Sequence, residues 1–275
     1  MRPGAAKPSG SRDLSLSSTL NLPDNPPAAS IGKLAVEAMS LRQTARAFVA
    51  YCVSRERRAA ARPLYSTSVN GQVISLCASD ERVRALFSDA DSINADGQPM
   101  VTLSHYLSRH PLPERVATTD LFPLVAKMAA KAGLTFYMFG ATERVNAKAV
   151  LQIGKTYPGL KIVGRRNGYF KREEEDEICA EIASLQPDIL WISLGAPFEQ
   201  EFISRNVYKL AGVGIVKTAG GLLDFLSLEK PRAPRWMQRA GFEWLFRTLI
   251  EPKRLLLRYI ITNPHALYVM LTSMR

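Results

Sequence analysis

The stretch "DILWISLGAPFEQEFISRNVYKLAGVGIVKTAGG", residues 188–221, decides the fold. Two short apolar runs rich in β-branched residues, "DILWISLG" and "VGIVKTAGG", each close on glycine, and the helical segment "EFISRNVYKLA" lies between them. A strand, a helix and a second strand of these lengths predict a βαβ unit with parallel strands. Working outward, the rhythm recurs in "LTFYMFG" (134–140) and "KIVG" (161–164), with helical "ERVNAKAVLQIGKTY" and "EEEDEICAEIASLQ" between the runs. Upstream, "SLRQTARAFVAYCVSRERRAAARP" (40–63) reads as a helix ended by Pro63, and "LYSTSV" as an extended run leading to Asn70. "GQVISLCASDERVRALFSDA" reads as one helix, and "DSINADGQPMVTLSHYL" as a strand, a turn at Asp96-Gly97 and a helix. The fold class is α/β, a Rossmann-like, mostly parallel sheet flanked by helices. Ligands of such sheets bind beyond the carboxyl ends of the strands, where Gly140, Gly164, Gly195, Gly220 and Gly221 are expected.

With 275 residues and 47% hydrophobic content the chain can bury a substantial core. Its 36 Lys+Arg against 25 Asp+Glu give a net charge of +11, and nine basic against three acidic residues fall between Phe225 and the end. A localised positive charge calls for an anionic partner: nucleic acid, a phosphorylated metabolite or an acidic lipid surface. Cys52, Cys77 and Cys179 are odd in number and widely spaced, which suits reduced core thiols and speaks against a disulfide scaffold. The first 30 residues lack an apolar h-region and read as a disordered tail. No window reaches the roughly 18 uninterrupted apolar residues of a membrane span, so membrane contact is expected to be peripheral. Three divisions follow: a tail (1–30), an α/β core (31–228) and a basic, aromatic, helical C-terminal appendage (229–275).

No GxGxxG follows the first strand, and there is neither a GK[ST] phosphate loop nor a GxSxG elbow. His105, His110 and His265 have no partners at metal-ligand spacing, so no metal is expected. "DAD" (89–91) resembles the Asp-x-Asp of many sugar-nucleotide enzymes, yet its place between a helix and a strand suits an ordinary loop. In "NADG" (94–97), Asp96 at a strand end is placed to act as a general base, while Asp-Gly is also an ordinary turn.

"NADG", "PERVATTDL" (113–121), "FYMFGA" (136–141), "GYF" (168–170), "LGAPFEQEFI" (194–203) and "AGGLLDFLSLEKPRAPRWMQRAGFEWLFRTLIEPKRLLLRY" (219–259) occur in an order that resembles the WecG/TagA/CpsF family of bacterial glycosyltransferases. The resemblance covers about residues 65–260. It implies inverting, metal-independent transfer of N-acetylmannosamine, its uronic acid or glucose from a UDP-sugar to an undecaprenyl-diphosphate-linked saccharide in cell-surface polysaccharide synthesis. It also implies a peripheral enzyme on the inner face of the bacterial cytoplasmic membrane. By position, Asp96 matches the family's proposed catalytic base, Asn70 the asparagine of its "TxN" segment, where Ser68 stands at the first place, and Arg115 an arginine implicated at its active site.

The expected substrate contacts are Ser68, Thr119, Asp120, Gly140, Gly195, Glu199, Gln200, Gly220, Gly221 and Asp224. The family's "GxPxQE" is "GAPFEQE" here, which reverses the amide and the acid at Glu199 and Gln200, and its "GTDL" is "TTDL", with Thr118 at the glycine. Arg115 has a second reading as an ion pair with Glu114 or Asp120, and Asp224 a second reading as a helix cap.

The segment "KPRAPRWMQRAGFEWLFRTLIEPKRLLLRY" (230–259) interleaves aromatic, aliphatic and basic residues. Its partner is single-stranded nucleic acid, a second protein or an anionic bilayer. A lipid-linked acceptor favours the bilayer, with "PRWMQRAGFEW" packed on the core and Arg247, Arg254 and Arg258 meeting lipid phosphates and acceptor diphosphate. The apolar face also offers a surface for a homo-oligomer. The alternative reading is a basic α/β nucleic-acid-binding or regulatory module without catalysis, which rests on charge and aromatics alone; the motif series favours no nucleic-acid partner.

Overall fold

A computed structural model describes residues 26–54 and 60–275. Its centre is a parallel sheet of six strands: β3 (Leu64–Val69), β4 (Ser92–Ala95), β5 (Thr135–Gly140), β6 (Lys161–Arg166), β7 (Ile189–Ser193) and β8 (Ile215–Thr218), in the order β4-β3-β8-β7-β5-β6. The central strands are apolar on both sides because helices cover both faces. Phe136, Met138, Ile189 and Trp191 enter one core with Phe122, whose ring meets Trp191 edge-on at 5.0 Å. The alternate residues Tyr137, Phe139, Leu190 and Ile192 enter the other core with Phe202. A period of two along each strand produces this division.

The connecting helices are α1 (Leu41–Val53), α2 (Gly71–Ser79), α3 (Glu81–Ser88), α4 (Gln98–Leu107), α5 (Thr118–Ala132), α6 (Glu143–Thr156), α7 (Glu175–Leu185) and α8 (Phe198–Asn206). The single helix expected over 71–90 is two, because the Asp80 carboxylate accepts from the amides of Arg82 (2.8 Å) and Val83 (3.4 Å) and caps a new start. The helix expected over 40–63 is shorter: α1 ends at Val53, residues 55–59 lie outside the described residues, and residues 60–63 are not helical.

Two expectations are corrected near the N-terminus and in β6. Residues 28–30, assigned to the tail, belong to β1 (Ala28–Ile31), which pairs antiparallel with β2 (Leu34–Glu37) through a two-residue turn at Gly32-Lys33, both with positive φ. Residues 1–25 of that tail lie outside the described residues. Gly164 does not end its strand; it sits within β6, where an added Cβ would stand 2.4 Å from the Tyr137 ring, so its role is close packing.

Downstream of β8 the chain forms α9 (Leu222–Leu226), α10 (Arg235–Arg239), α11 (Glu243–Ile250) and α12 (Pro252–Ser273). Ala266, Val269 and Met270 of α12 and Met274 share a core with Ile31, Leu34, Val73, Ile74 and Ile93. His265 Nδ1 meets Ser75 Oγ at 2.9 Å, and Ser30 and Arg275 exchange two backbone hydrogen bonds of 3.1 Å. The last helix therefore completes the core that the hairpin and α2 begin. "PRWMQRAGFEW" packs less than expected: Ala233 just before it is buried, but no residue of the stretch is, and Trp236 is 66% exposed.

Candidate active site

The connections leave β3 toward one edge of the sheet, to β4, and β5 toward the other, to β6, which opens a crevice at the carboxyl ends between them. It encloses about 900 Å³ and is roofed by α11 and the first half of α12. Its floor takes Ser68 and Asn70 at the end of β3, Asp96 and Gly97 after β4, Ala141 and Thr142 after β5, Ser193 to Ala196 from the end of β7, and Thr218 to Gly221 from the end of β8.

Asp96 is held at the strand end by its own amide, which donates to Val69 O at 2.7 Å. Burial pushes its carboxyl up to about 6; the nearby charges of Arg115, Lys217 and Arg247 pull it down, and Glu243 pushes it up. A carboxyl of this kind is ionised above pH 6 yet basic enough to accept a proton. Asn70 lines the crevice and caps α2, its Oδ1 accepting from Val73 N at 3.1 Å. Ser68 Oγ meets Thr118 Oγ1 at 3.2 Å and accepts from Lys217 Nζ at 2.7 Å.

Arg115 lines the crevice and is ion-paired: it donates to Glu243 (2.7 Å), Asp120 (3.1 Å) and Gln238 (3.3 Å). Of the two carboxylates considered for it, Asp120 is a partner, whereas Glu114 accepts from Leu41 N (2.8 Å). Asp120 itself lies behind Arg115 and is not among the residues that line the crevice. Its carboxylate takes a two-point fork from Arg232 (2.5 and 2.7 Å) as well as Arg115, and these guanidinium groups outweigh its burial and hold it below the usual carboxylate range. Asp120 thus ties α5 to the segment that covers the crevice. Thr119 lines the wall beside it.

Glu199 lines the floor and accepts from Gly195 N (3.3 Å) and Gly220 N (3.1 Å), so it bridges the glycine turns after β7 and β8. Burial pushes its carboxyl up to about 7 against the pull of those two amides and Lys217. Gln200 is turned away from the crevice, buried and donating to Thr67 Oγ1 at 3.2 Å, and is not among the residues that line it. Gly140 does not line the crevice either: with φ 128° it lets β5 pass β7 where a Cβ would stand 2.2 Å from Ser193 O. Gly195, Gly220 and Gly221 do line it.

Asp224 faces the crevice and pairs with Lys230 at 2.8 Å; its side chain does not cap α9. Arg247, Arg254 and Arg258 all line the crevice from its roof. Arg247 lies over the Phe225 ring at 5.8 Å, Arg254 is tied to Glu251 at 2.6 Å, and Arg258 lies over Tyr259 at 4.9 Å with a buried Nε that has no hydrogen-bond partner. Asp91 is engaged by Arg62 (2.7 and 2.8 Å) at the amino end of β4, opposite the crevice, as a loop residue would be. Among the described residues no three His, Cys, Asp or Glu are grouped to hold a metal ion.

Sequence reasoning missed Lys217, Glu243 and Lys230. Lys217 was visible as a charge within an apolar strand, "VGIVKTAGG"; the other two acquire their place only through the fold.

Fold and site together define a Rossmann-like α/β protein whose crevice is lined by four arginines and holds two buried carboxyls, Asp96 and Glu199, both raised by burial. The profile of the glycosyl transferase WecG/TagA/CpsF family matches residues 29–275, and the chain belongs to that family. It is 32% identical over 173 residues to the N-acetylglucosaminyldiphosphoundecaprenol N-acetyl-beta-D-mannosaminyltransferase of Bacillus spizizenii (strain W23), covering 63% of this chain and 66% of that relative, just under two thirds. To the Bacillus subtilis (strain 168) protein of the same name it is 29% identical over 191 residues, covering 68% of this chain and 72% of that one. Among the described residues no helix is long and apolar enough to cross a membrane.

Proposed function

We propose that the protein is an inverting glycosyltransferase that moves a sugar from a UDP-sugar to an undecaprenyl-diphosphate-linked saccharide. The observation that carries this reading is Asp96, a basic carboxyl on the crevice floor beneath an arginine-lined roof. The acceptor hydroxyl attacks the anomeric carbon, Asp96 takes its proton, and the bond to UDP breaks on the opposite face, with the electron pair leaving on the diphosphate. Arg115, Arg247 and Arg258, all lining the crevice, supply positive charge to that leaving group in place of a divalent ion. Of the three sugars, the names of the two relatives favour N-acetylmannosamine, and the same names support a polyprenyl-linked N-acetylglucosamine acceptor.

A peripheral position on the inner face of the cytoplasmic membrane fits the outer side of α12. Leu256, Leu257, Ile260, Ile261, Leu267, Tyr268 and Leu271 are exposed there, with Lys253 and Arg254 at one end. Such a stripe suits the boundary between headgroups and acyl chains.

The test is UDP release with a short-chain polyprenyl-diphosphate N-acetylglucosamine acceptor and a panel of UDP-sugars. Asp96→Asn is expected to retain UDP binding and lose about 10²–10⁴ in turnover. Near-normal turnover would sink the assignment of the base. A turnover abolished by EDTA and restored by Mg²⁺ would sink the metal-free part of the mechanism.

A further inference from the structure

Lys217 is a charged side chain in the middle of the sheet and is 0% exposed. It lies on β8, paired in register with Ser66 of β3, yet its Nζ donates to Ser68 Oγ, two residues further toward the carboxyl edge. The side chain therefore runs up the strand by about 7 Å to end just under the crevice floor. Ser68 is in register with Asn94 of β4, two positions before Asp96, and the amide of Asp96 is bonded to Val69 O. In the strand order β4-β3-β8, Asp96, Ser68 and Lys217 thus lie on a diagonal, each two positions nearer the carboxyl edge than the next. Asp96 and Ser68 face the crevice, and Lys217 lies behind them.

A buried ammonium is costly to hold unless anions or acceptors surround it. Ser68 satisfies one of its three N–H groups, and the charges facing it are Asp96, Glu199 of α8 and Glu37 of β2. Asp96 in turn faces Lys217 from below and Arg115, Arg232, Arg247 and Glu243 from the side and roof. Arg115 and Arg232 are both shared with Asp120, and Arg115 also pairs with Glu243, whereas among the described residues Lys217 has no carboxylate at ion-pair distance. The amino group is thereby left to act on the two floor carboxyls.

We infer that Lys217 is a positioning residue for Asp96: a buried ammonium, held by Ser68 behind the crevice floor, that keeps the Asp96 carboxylate ionised in a desolvated site. It touches no substrate and transfers no proton. Burial lowers Lys217 and raises Asp96, and the charge of each opposes the shift of the other. Without that charge, burial acts on Asp96 with less opposition and its titration moves upward. An opposite charge within about 4–6 Å shifts a carboxyl by about 1–3 units, and Lys217 acts on Asp96 after the larger pull of Arg115, so its removal is expected at the low end of that range.

The inference rests on Asp96 as the base, so its test reads the Asp96 charge without substrate. Carboxyl ¹³C shifts of Asp-labelled protein are followed from pH 4 to 9, with the Asp96 signal assigned by its loss in Asp96→Asn. The midpoint is expected near 6 in the wild type, up by about one unit or more in Lys217→Met, and up by a smaller step in Ser68→Ala, which frees the amine from its anchor. The rise of kcat/KM with pH should move by the same amount in Lys217→Met, so turnover falls roughly tenfold at pH 6 and much less at pH 8.5. An Asp96 midpoint unmoved in Lys217→Met overturns the inference, as does a loss of turnover equal at all pH values. Should Lys217→Met not fold, an unmoved midpoint in Ser68→Ala overturns it. A shifted midpoint together with near-normal turnover of Asp96→Asn would uphold the electrostatics and refute the base.

Discussion

Replacing Asp120 by alanine tests whether the cover over the crevice is tied down by this carboxylate. Asp120 accepts three charge-assisted hydrogen bonds, two from Arg232 and one from Arg115, and the side chains of Asp120, Arg232 and Arg115 are 32%, 27% and 13% exposed. Bonds to charged groups contribute about 1.5–3 kcal/mol each, but solvent reaches two of these groups and Arg115 keeps Glu243 and Gln238, so the sum must be discounted. Arg232 already has a buried Nε without a partner and would lose its fork entirely. The expected loss is about 2–3 kcal/mol, or a fall of roughly 4–12 °C in Tm for a chain of this size.

The pH dependence of this loss has a definite sign. Asp120 is held below the usual carboxylate range, so its contribution is complete above about pH 4 and is lost as pH falls through its still lower folded value. The gap between wild type and variant should be constant from pH 8 to pH 5 and close below about pH 4. Thermal denaturation followed by circular dichroism over pH 3–8 reads both. A Tm within 1 °C of wild type at pH 7, or a gap of the same size at pH 3, would refute the role given to Asp120.

Gly140→Ala should cost more than about 4 kcal/mol and yield little soluble protein, because its Cβ would meet the Ser193 carbonyl at 2.2 Å; Gly195→Ala, with positive φ but open space, should cost only about 1 kcal/mol. Denaturant titration of the two compares them directly. For the roof, Arg247→Gln with Arg258→Gln should lower turnover by roughly 10²–10³ on a soluble short-chain acceptor, since both face the crevice. Leu256→Ser with Leu257→Ser and Ile260→Ser should instead abolish sedimentation with phosphatidylglycerol vesicles and spare that turnover. Vesicle binding unchanged in the second variant would remove the membrane from the account of α12.

What could be read in the chain and what could not divide along the range of the interactions concerned. The runs at 134–140, 188–195 and 213–221 were legible because both faces of their strands are buried, so nearly every residue is apolar and the glycines mark the ends. Asp96 follows "SINA", a run only half apolar, so its place past the strand end was legible from the turn at Asp96-Gly97 and its expected role came from the family resemblance. The hairpin at 28–37 escaped notice because "AASIGKLAVE" is short and small, and its burial comes from Val269, Met270 and Arg275 at the far end of the chain. Gly140 and Gly195 carry the same local signal, a glycine closing an apolar run, yet one is pressed against Ser193 and the other is open to the ligand. That difference is made by the neighbouring strand.

The roles of Asp120 and Arg115 are likewise set from a distance, by Arg232 and Glu243 more than a hundred residues downstream. Segment 229–254 is basic in composition, but in the fold much of its charge is already paired: Arg232 with Asp120, Lys230 with Asp224 and Glu251, Arg254 with Glu251. A count of +6 in the last fifth of the chain therefore overstates the field a ligand meets. That field is concentrated on the roof at Arg247 and Arg258, whose contacts are aromatic rings and a tyrosine hydroxyl, which leave the guanidinium charge unneutralised. Together with Lys217 behind the floor, these cations lie on opposite sides of Asp96. A diphosphate entering the crevice would neutralise the roof and leave Lys217 as the charge that still favours the ionised base.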